Sequence, residues 1–156
     1  MENGETVFIA VRHGDYDNNN DLSERGREQM REIARQIKEK NVNNFPITLV
    51  CSTARRAQQG GQIIIEELGI PSELAIFNEC LWEDNHHSSD INEAKKLLDD
   101  NLRENTILLG ISHKGIVPMM ASYVAKKLGH KGYLDETEYG QGWLVNKKIC
   151  HLFPTK

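Results

Sequence analysis

The chain has 156 residues, of which 38% are hydrophobic and 27% are charged, a composition typical of one soluble globular domain over residues 1–156. Its formal net charge of −4 argues against nonspecific nucleic-acid binding as its main role, although a local cationic pocket for a small anion remains compatible with it. No apolar stretch approaches the roughly 20 residues of a membrane span, and the acidic start of the chain lacks the basic segment of a secretory signal. We therefore expect neither nucleic acid nor a membrane as a partner.

The cysteines indicate a reducing compartment. Cys51, Cys80 and Cys150 are an odd number, lie far apart and lack the spacing of a metal site. Cys51 and Cys150 each end an apolar run, where a free cysteine behaves as a small hydrophobic residue. We expect a cytoplasmic protein, and a catalytic role for one of these thiols is the alternative.

Strand-like and helix-like segments alternate along the whole chain. In chain order the predicted elements are a strand over residues 6–11, a helix over 23–40, a strand over 47–51, a helix over 56–67, a weaker strand over 74–77, a polar loop over 84–90, a helix over 91–103, a strand over 106–111, a helix over 116–128 and a strand over 143–149. This alternation indicates an α/β fold, a three-layer α/β/α sandwich with a mainly parallel central sheet. The last strand follows a long polar connection, so it could run antiparallel.

Local signals support these boundaries. Ser23 is a candidate N-cap for the first helix, in which Ile33 and Ile37 recur at helical spacing. Gly69 and Pro71 end the second helix, since glycine accepts a left-handed backbone and proline cannot continue a helix.

The most informative segment is Arg12-His13-Gly14, which directly follows the first apolar strand. In open α/β sheets, ligands bind beyond the carboxyl ends of strands. Arginine offers a planar fork of donors to anionic oxygens, and a neutral imidazole can attack phosphorus. Glycine lets the backbone approach a ligand closely. The segment therefore predicts phosphate chemistry.

Two other strands end in similar chemistry. The second strand leads into Ser52 and then Arg55-Arg56 at a helix start, and the fourth leads into Ser112-His113-Lys114-Gly115. Because the carboxyl ends of parallel strands lie along one edge, two histidines and two or three arginines are expected to converge there. Two helix N-termini at the same edge would add further partial positive charge.

These motifs, in this order and spacing, resemble the histidine phosphatase superfamily, the phosphoglycerate-mutase-like proteins named for an Arg-His-Gly signature. The likeness covers most of the chain. The matching segments are Arg12-His13-Gly14, Leu22 to Gln29, Ser52 to Ala57 with Arg56 as the family-type arginine, Leu81-Trp82-Glu83, and Ser112-His113. Thr53 departs from the family pattern, which usually has proline there, and Lys114 stands where glycine or asparagine is frequent.

The resemblance implies a role for each matched residue. His13 would be the nucleophile that becomes phosphorylated, and Glu83 would donate a proton to the leaving group. Arg12, Arg56 and His113 would hold the phosphoryl oxygens. Asn19, six residues after His13, would be a further phosphate contact, with Asn18 and Asn20 as alternatives. The family scheme requires no metal and no cofactor.

The substrate expected from this resemblance is a phosphorylated small molecule or a phosphoprotein. We expect a phosphatase that hydrolyses a phosphomonoester through a phosphohistidine intermediate. Phosphohistidine phosphatase activity is the alternative, since phosphohistidine is already a good leaving group and such enzymes can dispense with the acid. A catalytically silent phosphate-binding module is a further alternative. A mutase is less favoured, because only 30 positions separate Glu83 from His113, too few for the inserted lid of the mutases.

The roles of a few polar residues stay open. Lys114 either extends the cationic field of the site or is solvated. His86-His87 could face a substrate or bind a metal, although paired loop histidines are usually exposed. Arg55 is expected to pair with an acidic group and not with phosphate.

Overall fold

A computed structural model of the protein describes residues 1–83 and 90–155. Its strands and helices are β1 (Thr6–Arg12), α1 (Glu24–Lys40), β2 (Ile47–Cys51), α2 (Arg55–Leu68), β3 (Ala75–Phe77), α3 (Ile91–Asn101), β4 (Thr106–Ser112), α4 (Ile116–Lys127), β5 (Gly142–Val145) and β6 (Cys150–Phe153). Short 3-10 turns occupy Ser72–Leu74 and Glu79–Leu81. The predicted loop over 84–90 falls almost entirely outside the described residues.

The strands form one mixed six-stranded sheet in the order β3-β2-β4-β1-β5-β6. Strands β1 to β4 run parallel, and β5 and β6 form an antiparallel hairpin that pairs with β1. The predicted mainly parallel α/β architecture is thus confirmed. In the β1–β4 pair, Arg12 lies opposite Ser112, so both strands end at the same level of the sheet.

The core is divided between the two faces of the sheet, as alternation along β1 requires. Ile9 packs in the hydrophobic cluster that also contains Ile33 of α1 and Ile64 of α2. Its neighbour Phe8 points to the other face and packs in the cluster with Leu98 and other residues of α3 and α4. Two helical layers therefore cover the sheet, and β1 and β4 are buried at its centre.

The start of α1 and the end of α2 agree with the local signals, whereas α3 ends early. Ser23 is the N-cap of α1 and its hydroxyl accepts a hydrogen bond from the Gly26 N–H at 3.0 Å, worth about 1 kcal/mol. Gly69 ends α2 in the left-handed conformation at φ 65°. Helix α3 ends at Asn101, two residues before the predicted end, because the Asn101 side chain donates to the Leu97 carbonyl and Leu102 is extended.

The prediction of one final strand over 143–149 is wrong. The chain forms two strands, because Asn146 turns it between them. The Asn146 side-chain oxygen accepts from the backbone N–H groups of Lys148 and Ile149, both at 2.8 Å, and its own N–H donates to the Ile149 carbonyl. Asparagine is well suited to such a turn because its side chain satisfies the backbone two and three residues later.

Candidate active site

A cavity of about 240 Å³ opens at the carboxyl edge of the central strands. It is lined by residues from four separate segments of the chain: Arg12, His13, Tyr16, Arg56, Glu83, His113 and Lys114. All five residues for which the sequence predicts a catalytic role are in this list. The parallel arrangement of β1, β2 and β4 brings their ends together at this edge.

His13 is held in one tautomer. It is 2% exposed, and its Nδ1 lies 2.8 Å from the Gly14 carbonyl oxygen. A carbonyl can only accept, so Nδ1 carries the proton in the neutral ring and Nε2 keeps its lone pair. The Nε–H of Arg56 donates to that Nε2 at 3.1 Å. The nitrogen available for nucleophilic attack is therefore Nε2, and it already faces a cation.

The electrostatic surroundings keep His13 neutral. The pKa of His13 is lowered from 6.5 to about 4, chiefly by burial. The Gly14 hydrogen bond acts in the opposite direction, and the charges of Arg56 and Arg12 contribute to the lowering. At neutral pH the imidazole is therefore unprotonated, which is the state that can attack an electrophile.

The loop after His13 is fixed against α1. The Asp15 N–H donates to the Gln29 side-chain oxygen at 2.9 Å, and the Ser23 hydroxyl donates to the Asp15 carboxylate at 2.9 Å. A Cβ at Gly14 would collide with the Gly26 backbone, and one at Gly26 would collide with the Asp15 carbonyl. The motif over residues 22–29 thus has a physical function, which is to hold the loop after His13 in place.

Arg12 is held by a segment that the sequence did not point to. Its Nη1 donates to the Thr137 carbonyl at 3.2 Å, and its guanidinium lies over the Tyr139 ring, 3.8 Å from the centroid. The Gly140 N–H bonds the carbonyls of Arg12 and His13, each at 3.1 Å. The Arg12 Nε is buried and has no hydrogen-bond partner among the described residues, so an oxyanion would supply an acceptor for it.

Arg56 bridges the two histidines. Its Nη2 lies 3.4 Å from His113 Nδ1, while its Nε contacts His13, and its guanidinium lies over the Tyr16 ring at 4.7 Å. The neighbouring Arg55 points away and pairs with Asp21 at 2.6 Å, with 68% of its side chain exposed. The prediction that Arg55 pairs with an acidic group is confirmed.

His113 follows β4 as His13 follows β1. It is 3% exposed, and its ring centroid lies 5.1 Å from that of His13. Its Nε2 is 2.8 Å from the hydroxyl of Ser52, which is fully buried and also accepts from the Ala54 N–H at 3.2 Å. Ser52 therefore fixes the orientation of the second histidine.

Glu83 reaches the cavity from the segment after β3. Two residues earlier, the Leu81 carbonyl accepts a hydrogen bond from the Ser112 hydroxyl at 2.5 Å. Because Ser112 directly precedes His113, the end of β4 supports both the second histidine and the segment that carries Glu83.

The remaining predicted residues are placed as follows. Asn19 is exposed, is not among the cavity-lining residues, and donates its backbone N–H to Asp17; its phosphate contact stays a prediction. Lys114 lines the cavity, is 61% exposed, and lies 3.4 Å from Glu136. His86-His87 lie outside the described residues.

Tyr16, Tyr139 and the orienting role of Ser52 were missed at the sequence level. Tyr16 lies only three residues after His13, so its proximity is a signal that could have been used. Tyr139 is 127 residues beyond Arg12, and only the pairing of β5 with β1 brings its segment to the site.

Residues 8–103 match the family described as the histidine phosphatase superfamily (branch 1), and the chain belongs to this family. The matched segment contains His13, Arg56 and Glu83. No curated protein sequence matches the chain.

Solved structures share the fold at low sequence identity. A protein titled "Mycobacterial hydrolase 1" is 15% identical with a TM-score of 0.64, covering 96% of this chain and 97% of its own. The protein histidine phosphatase SixA complexed with tungstate is 20% identical with a TM-score of 0.60, and the match covers 90% of this chain and 86% of SixA. A mycobacterial glucosyl-3-phosphoglycerate phosphatase, Rv2419c, in complex with VO3 is 15% identical with a TM-score of 0.60. The match covers 89% of this chain and 92% of Rv2419c.

Two further observations concern only the described part of the chain. It contains no helix long and apolar enough to cross a membrane. It also contains no group of three or more histidine, cysteine, aspartate or glutamate side chains arranged to hold a metal ion.

Proposed function

We propose that this protein is a single-domain phosphatase that hydrolyses a phosphomonoester through a phosphohistidine on His13, with Glu83 as the general acid. The observation that supports this most is the cavity itself. One small, open space combines a neutral, tautomer-fixed imidazole, two guanidinium groups, a second histidine and a carboxyl group.

The first step transfers the phosphoryl group to the enzyme. The Nε2 lone pair of His13 attacks phosphorus, so a P–N bond forms while the P–O bond to the leaving group breaks. The Arg56 Nε–H exchanges its contact with Nε2 for a phosphoryl oxygen. Glu83 gives its proton to the departing oxygen, which leaves as an alcohol.

The second step hydrolyses the intermediate. A water molecule attacks phosphorus, and both of its protons leave with the phosphate as H2PO4⁻. The P–N bond breaks, its electron pair returns to Nε2, and inorganic phosphate is released. Neutral His13 is restored, and the Glu83 carboxylate regains its proton from solvent, so the cycle balances.

Fixed cations provide the stabilisation that phosphoryl transfer needs. Positioning and electrostatics supply most of the catalysis in this reaction class, and donors that are preorganised need no reorientation during the step. Arg12 is braced by Tyr139 and the Thr137 carbonyl, and Arg56 by Tyr16. We assign Arg12, Arg56 and His113 to the phosphoryl oxygens.

The size of the cavity bears on the substrate. Its volume of about 240 Å³ is below the roughly 300–1,000 Å³ of sites that enclose a drug-sized ligand. We expect a phosphoryl group and a few adjoining atoms to occupy the cavity, with the rest of the substrate outside its opening. A phosphorylated small molecule and a phosphorylated side chain of a protein both meet this requirement.

Phosphohistidine phosphatase activity is the second candidate, favoured by the likeness to the protein histidine phosphatase SixA. An imidazole leaving group departs more easily than an alkoxide, so this reaction has little need of an acid. The presence of Glu83 in the cavity favours the ester. The mutase alternative would need an inserted lid, for which the 30 positions between Glu83 and His113 are too few. A silent binding module would show no turnover at all.

Glu83→Gln separates these functions because it keeps the size of the side chain and removes the transferable proton. For an esterase, kcat on an alkyl phosphate should fall by roughly 10²–10⁴-fold, with a far smaller loss on an activated aryl phosphate. For a phosphohistidine phosphatase, the variant and the wild type should hydrolyse a phosphohistidine protein at nearly the same rate, and alkyl phosphates should be poor substrates of both. Equal losses on every substrate would show that Glu83 is not the acid.

We also place the protein in the cytoplasm. Cys51, Cys80 and Cys150 are all free thiols in the structure, and burial raises the pKa of Cys51 and of Cys80, the latter to about 11. Thiols with raised pKa values are poor nucleophiles at neutral pH, which supports a structural role for them.

A further inference from the structure

The side chain of Glu83 lies directly against Gly115, the residue that precedes α4. A Cβ added to Gly115 would lie 2.5 Å from Glu83 Oε1, 2.9 Å from Oε2 and 3.1 Å from the carboxyl carbon. Nonbonded heavy atoms prefer separations of about 3.5 Å or more. The carboxyl group therefore occupies space that any other residue at position 115 would fill.

Neither the backbone nor helix capping requires a glycine at this position. Gly115 has φ −85° and ψ −26°, a right-handed conformation that every residue adopts. As the N-cap of α4 it provides no side-chain hydrogen bond, whereas serine, aspartate or asparagine would satisfy a free N–H of the first turn. What glycine provides here is the absence of a side chain.

We propose that Gly115 is a positioning residue for the general acid, which keeps open the place from which the Glu83 carboxyl group reaches the leaving group. This inference rests on the proposed role of Glu83. The Ser112 hydroxyl holds the Leu81 carbonyl, so the segment of Glu83 is anchored to the strand that leads to Gly115. With Leu81 held two residues earlier, Glu83 accommodates a methyl group at position 115 by moving its carboxyl group, whose atoms are the nearest to that methyl.

The effect of Gly115→Ala should be confined to the acid. The three heavy atoms nearest to the added Cβ all belong to the Glu83 side chain. Because that group is the end of a flexible chain, it can move at little cost in stability. The stability of the variant should therefore match the wild type, while the distance from the acid to the leaving oxygen changes.

The test compares Gly115→Ala, Glu83→Ala and the double variant on two substrates, an unactivated alkyl phosphate and p-nitrophenyl phosphate. A displaced acid should lower kcat on the alkyl phosphate by roughly 10-fold to 10²-fold, with a loss below about 3-fold on p-nitrophenyl phosphate. The melting temperature of Gly115→Ala reports whether its fold is intact.

The double variant tests the coupling. Once Glu83→Ala has removed the carboxyl group, the added methyl has nothing to displace, so Gly115→Ala should cause no further loss. Additive losses, equal losses on both substrates, or full activity of Gly115→Ala on the alkyl phosphate would each overturn the proposal. Glu83→Ala alone tests the general acid. If its kcat on the alkyl phosphate matches the wild type, the general-acid assignment is wrong and the proposed role of Gly115 is wrong with it. If that kcat falls but Gly115→Ala does not behave as expected, only the role of Gly115 is wrong.

Discussion

Strands β1 and β4 lie side by side at the centre of the sheet, run in the same direction and are each followed by a buried histidine. Arg12 and Ser112 are register partners, and the His13 N–H donates to the Ser112 carbonyl at 3.0 Å. The backbone positions of the two histidines are thus nearly equivalent. Their ring partners differ, since His13 Nδ1 bonds a carbonyl and His113 Nε2 bonds a hydroxyl.

The difference shows how one residue type can serve two roles in one cavity. A carbonyl has no proton to give, so it forces the proton of His13 onto Nδ1 and leaves Nε2 free to attack. A hydroxyl can donate or accept, so Ser52 can stay bonded to His113 in more than one protonation state. We therefore assign nucleophilic attack to His13 and phosphoryl binding to His113.

The strongest test of this assignment is to remove each histidine in turn. His13→Ala should lower turnover by at least about 10⁴-fold, because the covalent route is lost. His113→Ala should lower it by roughly 10²–10³-fold and still form a phosphoenzyme. The measurement is trapping of an acid-labile, base-stable phosphate, and its appearance in His13→Ala would exclude His13 as the nucleophile.

Arg56→Lys should lower kcat by about 10²-fold, because lysine keeps the charge but cannot contact both histidines with a planar fork. Arg55→Lys is a matched control, since Arg55 is exposed and pairs with Asp21 on the surface. Its activity should stay close to that of the wild type. Equal losses in the two variants would mean that Arg56 acts only as a positive charge near the site.

The buried, neutral state of His13 should appear in the pH dependence of stability. Since burial lowers its pKa from 6.5 to about 4, the unfolded chain binds a proton below pH 6.5 that the folded chain does not. The stabilisation that neutral His13 contributes is therefore fully present above pH 6.5 and is lost as pH falls towards 4. Between pH 7.5 and pH 5, protonation at this position should lower the free energy of unfolding by about 2 kcal/mol.

Urea denaturation at the two pH values measures this loss. His13→Gln is the control, because glutamine does not titrate. Its free energy of unfolding should fall between the two pH values by about 2 kcal/mol less than that of the wild type. Identical losses in both proteins would show that the pKa of His13 is not lowered in the fold.

The smallest expected effect is that of Ser52→Ala, which removes the hydroxyl that orients His113. Affinity for a phosphate-like oxyanion such as tungstate should fall by about 10-fold, the equivalent of one hydrogen bond of ordinary strength. Ser122→Ala is a suitable control for loss of a buried serine, because the Ser122 hydroxyl bonds the Leu134 N–H away from the cavity. An unchanged inhibition constant in Ser52→Ala would mean that His113 is oriented by its other contacts.

Much of the fold follows from local features of the sequence. Continuous apolar runs such as Ile47–Cys51 identify the buried strands, and the second strand has the predicted bounds. The predicted ends of helices and strands were less accurate, because side chains such as those of Asn101 and Asn146 compete with the regular backbone hydrogen bonds. That competition divides the final strand into a hairpin.

The convergence of Arg12, His13, Arg56 and His113 on one cavity was also predictable, because they lie at or shortly after the carboxyl ends of parallel strands, while their roles stay predictions. The supporting contacts were not predictable. Tyr139 over Arg12 and Gly115 beside Glu83 depend on distances between segments that are far apart in the sequence. Such contacts are set by the packing of the whole domain, and no local pattern encodes them.

The order of strands also bears on when the protein becomes active. His13 and His113 are 100 residues apart in the sequence, yet their strands are neighbours. Pairing of distant segments carries a large loop-closure entropy and tends to be slow. A nascent chain that ends before β4 contains the nucleophile but lacks its partner histidine. Full hydrolytic activity would then begin only after synthesis has passed residue 113 and β4 has inserted between β1 and β2, so enzymatic activity can serve as a readout of that insertion.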